Sequence, residues 1–279
     1  MLEALVIGLD RNYRGTELED QLREHGIPIH RVQGVMVDEL PGGLDSYVDQ
    51  AAARVLQRRE LTKGEVGCAL AHRAAWAALA ASGNLFSLVF EDDARLVGKP
   101  INDEIMEALQ TSHPTIVVLD AYSDYTVISS RQDALARTVF KTLVPPPGAW
   151  AYGLNRAAAE VLLEDGRRVS SVTDWPARVA HKIDFYTVYP QLARVDDGVQ
   201  STLEETRHLQ ELGSAESSTS RVIRLAQSIG HIRWVKHWHV YGAYRVYLHH
   251  ELRRLVINRS SRARGKRWDQ SNQRSPLTF

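Results

Sequence analysis

The chain has 279 residues, 44% hydrophobic and 24% charged, and its 34 basic and 34 acidic side chains give a formal net charge of zero. That length fits one large domain or a domain with an extension, and the composition is that of a globular protein with a full core. The totals exclude a chain-wide polyanion-binding surface. No stretch approaches the roughly 18 apolar residues a membrane-spanning helix needs.

The balance hides an asymmetry. Thirteen of the 34 basic residues lie in 221–279, where the only acids are Glu251 and Asp269. An acidic body therefore precedes a basic tail, which argues against a nucleic-acid partner. Cys68 is the single cysteine, so an intrachain disulfide is excluded and a reducing compartment is the simpler assumption. The opening "MLEALVIGLDRN" has too short an apolar run for a secretory signal, and Glu3 precedes it. A cytoplasmic protein is expected.

In chain order, "EALVIGL" (3–9) reads as a buried strand that delivers Asp10 into a loop. "GTELEDQLREHGI" predicts a helix closed by Gly26, and "IPIHRVQGV" a second strand, a β-α-β start with a right-handed crossover. "PGGLDSYVDQ" is punctuated as a loop. Thr62 and Glu65 form the T-x-x-E capping box of an alanine-rich helix that runs to Gly83. "LFSLVF" follows as a strand and stops at Glu91, Asp92 and Asp93. A helix over 101–111 leads to the strand "TIVVLD" (115–120), which ends on Asp120. A strand within "VPPPGAWAYGLN", a helix in "RAAAEVLLEDG" and a strand at "DFYTVYP" (184–190) complete the body.

"GSAESSTS" (213–220) has linker composition. Beyond it, apolar residues from Ile229 to Leu255 recur at three- and four-residue steps, with arginines and Lys236 on the other faces. The predicted organisation is a catalytic domain over 1–212, the linker, an amphipathic basic helical extension over 221–264 and a disordered tail over 265–279.

Two unit charges about 4 Å apart repel by roughly 4 kcal/mol at an effective dielectric of 20, so three adjacent carboxylates need compensation. Arg95, water or a hard divalent cation would serve; Mg²⁺ and Mn²⁺ suit oxygen ligands and recruit phosphates. Strand alternation sends Glu91 and Asp93 to one side and Asp92 to the other. From the triplet alone, a solvated loop or a set of helix caps serves equally well. Glu65, Cys68 and His72 share one helix face, but a zinc site lacks further ligands and Cys68 reads as a small buried residue. His72 precedes the acidic triplet closely enough to be a substrate or phosphate contact. Asp10, Asp93 and Asp120 at three strand ends favour one cleft, although each also suits a turn.

Several motifs coincide in order: "VIGLDRNYRG", "LTKGEVGCALAHRAAW", "LVFEDDARL", "PGAWAYGLNRAAAEVLL", "TDWPA" and "VYPQLARVDDGVQSTL". Together they resemble glycosyltransferase family 25 over roughly residues 3–205. The resemblance implies a GT-A-type α/β fold with a mixed central sheet, a nucleotide-sugar donor such as UDP-galactose, Mn²⁺ (or Mg²⁺), and inversion at the anomeric carbon. It further implies donor contacts from Asp10, Arg11, Arg14, His72, Glu91, Asp92 and Tyr152, and a metal held by Asp93 with Glu91 or Asp92. Glu65, Gly67 and Cys68 match its helix motif, and Gly148 and Ala151 accompany Tyr152. Asp174 and Asp120 are the candidates for the general base. The sequence departs from the family pattern at Ala71, where serine is usual, and at Trp150, where histidine is common.

The expected activity is sugar transfer to a saccharide or lipid-linked glycan in surface-polysaccharide synthesis. The alternatives are a metal-dependent phospho- or nucleotidyltransferase, or a non-catalytic glycan- or partner-binding module. The basic extension 221–264 suits a peripheral contact with an anionic membrane at its inner face, or packing on the body or on a second subunit.

Overall fold

A computed structural model describes residues 2–57, 59–120, 138–142, 145–146, 148–165, 168–172, 175, 182–188 and 190–195. Asp174, the linker 213–220, the extension 221–264 and the tail 265–279 lie outside them.

The chain opens with β1 (Ala4–Gly8), whose first four residues are all buried, as in a strand covered on both faces. After a 3-10 turn at Asp10–Asn12 comes α1 (Thr16–Glu24), which buries Leu18 and Leu22. Gly26 then reverses the chain at φ +67 into β2 (Ile29–Gln33), where only Val32 is buried, as befits an edge. The body continues through α2 (Gln50–Gln57), α3 (Lys63–Ala81), β3 (Phe86–Glu91), β4 (Ala94–Leu96), α4 (Asp103–Leu109) and β5 (Thr115–Val118). It closes with β6 (Val139–Lys141), β7 (Ala151–Asn155), α5 (Arg156–Asp165), β8 (Asp184–Val188) and β9 (Ala193–Val195).

Seven strands form one sheet in the order β2-β1-β3-β7-β5-β8-β6. β1 runs parallel to β2 and β3, and β5 to β8; β7 lies antiparallel between β3 and β5, and β6 pairs antiparallel with β8. This is the mixed α/β sheet expected from the sequence. β4 and β9 make a separate antiparallel pair.

Alternation along the strands builds a core on each face. Leu5, Ile7 and Val89 join α3 and α5 on one side, where Ala71, Ala75, Trp76, Leu79, Ala158 and Leu162 pack. Ala4, Val6, Leu88 and Phe90 join α1 and α4 on the other, with Leu18, Leu22, Ile105 and Leu109. The carboxyl ends of β1, β3 and β5 share one edge, so Asp10, the acidic triplet and Asp120 follow one another along it. The capping box of α3 forms in full, Thr62 Oγ1 accepting from Glu65 N–H and the Glu65 side chain accepting from Thr62 N–H.

Among the described residues, three short strands and one helix were not anticipated. β4, β6 and β9 have three residues each, too few to show a period of two. α2 follows a Gly/Pro-punctuated loop that masks its start, although Asp49 Oδ1 accepts from Ala52 N–H at 2.9 Å as an N-cap does.

Candidate functional site

Glu91 is the last residue of β3, and Asp92–Asp93 turn the chain into β4. Because the strand stops there, alternation does not extend through the triplet. Asp92 and Asp93 both face Arg14, and Glu91 faces α3. This corrects the expected pairing of Glu91 with Asp93 against Asp92. Arg14 donates its backbone N–H to Asp92 Oδ2 at 3.1 Å, and its Nη2 lies 3.3 Å from Asp92 Oδ1 and 3.5 Å from Asp93 Oδ2. Asp92 approaches so near the end of β1 that a Cβ on Gly8 would lie 2.9 Å from its Oδ2. Arg95, the nearest cation in sequence, points elsewhere: Nη1 donates to the Asp92 and Ala94 carbonyls, and Nε pairs with Glu17. The compensating charge therefore comes from Arg14.

On the other side of Glu91, Cys68, His72 and Trp76 stack at successive turns of α3. Cys68 Sγ lies 3.6 Å and His72 Nε2 3.1 Å from Glu91 Oε1; His72 Nδ1 lies 2.9 Å from Tyr152 Oη, to which Trp76 Nε1 donates at 2.8 Å. An indole N–H only donates, so Tyr152 accepts there and gives its own hydrogen to His72 Nδ1. His72 is then the Nε2–H tautomer, and it donates to the Glu91 carboxylate. Cys68, His72 and Glu91 also bring three ligand atoms within 4.8 Å of one another. A cation on His72 Nε2 would force Nδ1–H onto Tyr152 and leave the tyrosine hydrogen without an acceptor among the described residues. Buried, that orphan would cost about 1–3 kcal/mol, so the donor–acceptor order favours the hydrogen-bonded chain over a metal there. Glu65 does not join this face, because its carboxylate is held by the cap and by Arg59.

Electrostatics separate the carboxylates. Burial raises the pKa of Asp93 and Glu91 raises it further; Arg14 opposes them and Asp92 adds to the rise, leaving Asp93 pushed up to about 6. Burial would also raise Glu91, but the hydrogen bond from His72, with Cys68 and Arg14, outweighs it and lowers the carboxyl. Among the described residues, buried Asp93 Oδ1 has no hydrogen-bond partner. An under-neutralised cluster of hard oxygen donors with one unmet acceptor fits Mn²⁺ or Mg²⁺ better than a softer ion.

Residues 1–175 match the family model described as "Glycosyltransferase family 25 (LPS biosynthesis protein)". The chain belongs to glycosyltransferase family 25. A human relative named inactive glycosyltransferase 25 family member 3 is 44% identical over 64 residues, 23% of this chain and 9% of the relative. A Rattus norvegicus protein named "Probable inactive glycosyltransferase 25 family member 3" is 46% identical over 59 residues, 21% of this chain and 9% of its own length. The chain thus spans under a tenth of these relatives. Among solved structures, a Bacillus anthracis protein designated a glucose-1-phosphate thymidylyltransferase aligns at 11% identity and TM-score 0.34, over 75% of this chain and 95% of its own. A Thermus thermophilus protein designated a mannose-1-phosphate geranyltransferase aligns at 12% identity and TM-score 0.32, over 69% and 75%. Both scores are too low to bear on function.

The family-25 positions distribute unevenly in the fold. Arg14, Asp92, Asp93, Glu91, His72 and Tyr152 come together; Asp10 is exposed beside Gln33, whose amide, turned to satisfy both groups, donates to the two Asp10 oxygens at 2.9 Å. Arg11 is exposed nearby. His72 and Tyr152 are fully buried (0%), so their side chains meet the site through Glu91. Asp120 follows β5, and its carbonyl accepts from Thr187 Oγ1 at 2.7 Å. Trp76 and Trp175 were not anticipated. Trp76 had a signal, standing four residues after His72 on the same helix face. Trp175 had none: it is buried at φ 58 with its ring 4.9 Å from that of Tyr152, and its Nε1 donates to Pro146 O at 2.8 Å. A concavity of about 450 Å³ lies away from this edge, lined by Glu19, Arg23, Ile27, Pro28, Ile29 and Arg31. Its two arginines are both paired to Glu19.

Proposed function

We propose that this chain is a metal-dependent, inverting glycosyltransferase. It moves a sugar, galactose first among the candidates, from a nucleotide-diphosphate donor to a hydroxyl of a saccharide or lipid-linked glycan in surface-polysaccharide assembly. The observation that carries the reading is the acidic corner: Asp93, with its pKa raised to about 6 and one buried oxygen unpartnered, beside Asp92 and Glu91. Asp93, with Glu91 and Asp92, would hold Mn²⁺ or Mg²⁺, which when bound neutralises the charge that builds on the departing diphosphate. His72 fixes Glu91 through Nε2–H, and Arg14 lies close enough to the corner to meet phosphate oxygens. Inversion calls for a carboxylate that takes the proton of the attacking hydroxyl; Asp120 and Asp174 are the candidates.

A second reading, a non-catalytic binding module, is favoured by the word "inactive" in the names of both curated relatives. Thermal-shift screening of UDP-sugars with and without Mn²⁺ separates the two. Stabilisation that needs both sugar nucleotide and metal supports transfer, and Asp93→Asn should then fold normally yet lose metal-dependent turnover. Silence toward every nucleotide sugar would favour the binding module.

A further inference from the structure

Arg14 stands between β1 and α1 and is tied to the acidic turn in two independent ways. Its backbone N–H holds Asp92 Oδ2 at 3.1 Å, while a single Nη2 is shared between Asp92 Oδ1 at 3.3 Å and Asp93 Oδ2 at 3.5 Å. A forked arginine–carboxylate pair closes to about 2.8 Å with two parallel bonds. One nitrogen divided between two carboxylates at these distances is a loose clamp, and the side chain is 32% exposed. Among the described residues, Arg14 Nε and Nη1 have no partner. Even with Arg14 in place, Asp93 Oδ1 has no hydrogen-bond partner among the described residues, so the corner keeps one unmet acceptor.

We propose that Arg14 is a displaceable internal cation. It occupies Asp92 and Asp93 until a divalent ion takes the corner, and the released guanidinium then binds the donor's diphosphate. The proposal rests on the metal-dependent reading above. The backbone bond to Asp92 does not involve the side chain, so the guanidinium can swing without freeing the loop. The guanidinium fits both tasks: planar and permanently charged, it binds carboxylate and phosphate alike. Because the ion competes with Arg14 while the diphosphate recruits it, metal and nucleotide each strengthen the other's binding, and by the same factor.

The test uses the full chain, Mn²⁺ followed by the electron paramagnetic resonance signal of the free ion, and UDP as the diphosphate probe. Without UDP, Arg14→Gln should bind Mn²⁺ roughly tenfold tighter than the unaltered chain, the order expected when one cation leaves a partly exposed acidic pair. With saturating Mn²⁺, the same variant should bind UDP about tenfold more weakly, because the phosphate loses a charged donor. Arg14→Lys, which keeps the charge and loses the fork, should fall between the two. If Arg14→Gln retains the wild-type melting temperature but binds Mn²⁺ no more tightly, or less tightly, Arg14 is a structural clamp and the proposal is wrong. If neither protein binds Mn²⁺ even with UDP, the metal-dependent reading itself fails and takes this proposal with it. The two failures are thus distinguishable.

Discussion

Asp93 carries a cost that the fold tolerates. Burial and two neighbouring carboxylates lift its pKa from the ordinary 3.8 to about 6. Between those values the folded chain keeps a proton the unfolded chain has released, so this residue makes stability fall as pH rises through the window. A shift of this size sets a ceiling of roughly 2–3 kcal/mol. In metal-free buffer, Asp93→Asn should therefore raise stability at pH 7 by about 1–2 kcal/mol and flatten the pH 4–6 slope, read from urea midpoints. A variant less stable than the parent at pH 7 would show that the carboxylate is not under electrostatic strain. Glu91 acts with the opposite sign and lower on the scale. Its carboxyl is held below the usual range, so its contribution is present above that range and lost only as pH falls through its depressed value. The sequence displayed the acidic triplet as residue types, but not its counter-charge. Arg14 and Asp92 are 78 positions apart, and only the pairing of β1 with β3 makes them neighbours.

Among the elements, α3 was the most legible, because a capping box and an alanine-rich run specify it locally. What it rests against was not legible. Gly67 lies where a Cβ would come within 2.4 Å of the Val35 carbonyl oxygen, so the helix seats its backbone directly on the segment after β2. In a free helix, Gly→Ala gains about 1 kcal/mol. Here the methyl must lift α3 and shift Cys68, His72 and Trp76 relative to Glu91 and Tyr152. Gly67→Ala should thus lose about 2 kcal/mol or more in chemical denaturation, the scale of overpacking at a rigid contact. A rise in stability would mean that the helix moves freely on the sheet. The three-residue strands had no comparable local signature, since their pairing partners define them.

For the whole molecule, β1, β3 and β5 place their carboxyl ends on one edge, where Asp10, the acidic triplet and Asp120 follow them. The remaining global feature is the division of charge, with 13 basic residues against Glu251 and Asp269 in 221–279. We propose that this segment draws the chain to anionic lipid. Vesicles rich in phosphatidylserine should retain the full chain and release it at high salt, while residues 1–215 alone should not sediment with them. Equal retention of both would remove the segment from membrane contact.

The chain of side chains behind Glu91 has one further consequence. Trp76 can only give a hydrogen and an ionised Glu91 can only receive one, so every bond between them points outward. Passing a proton inward would turn His72 Nδ1–H onto Tyr152, which already accepts from Trp76, and orphan the tyrosine hydrogen at a cost of about 1–3 kcal/mol. The order of donors behind the carboxylate thus holds the group in place and disfavours transfer into the interior.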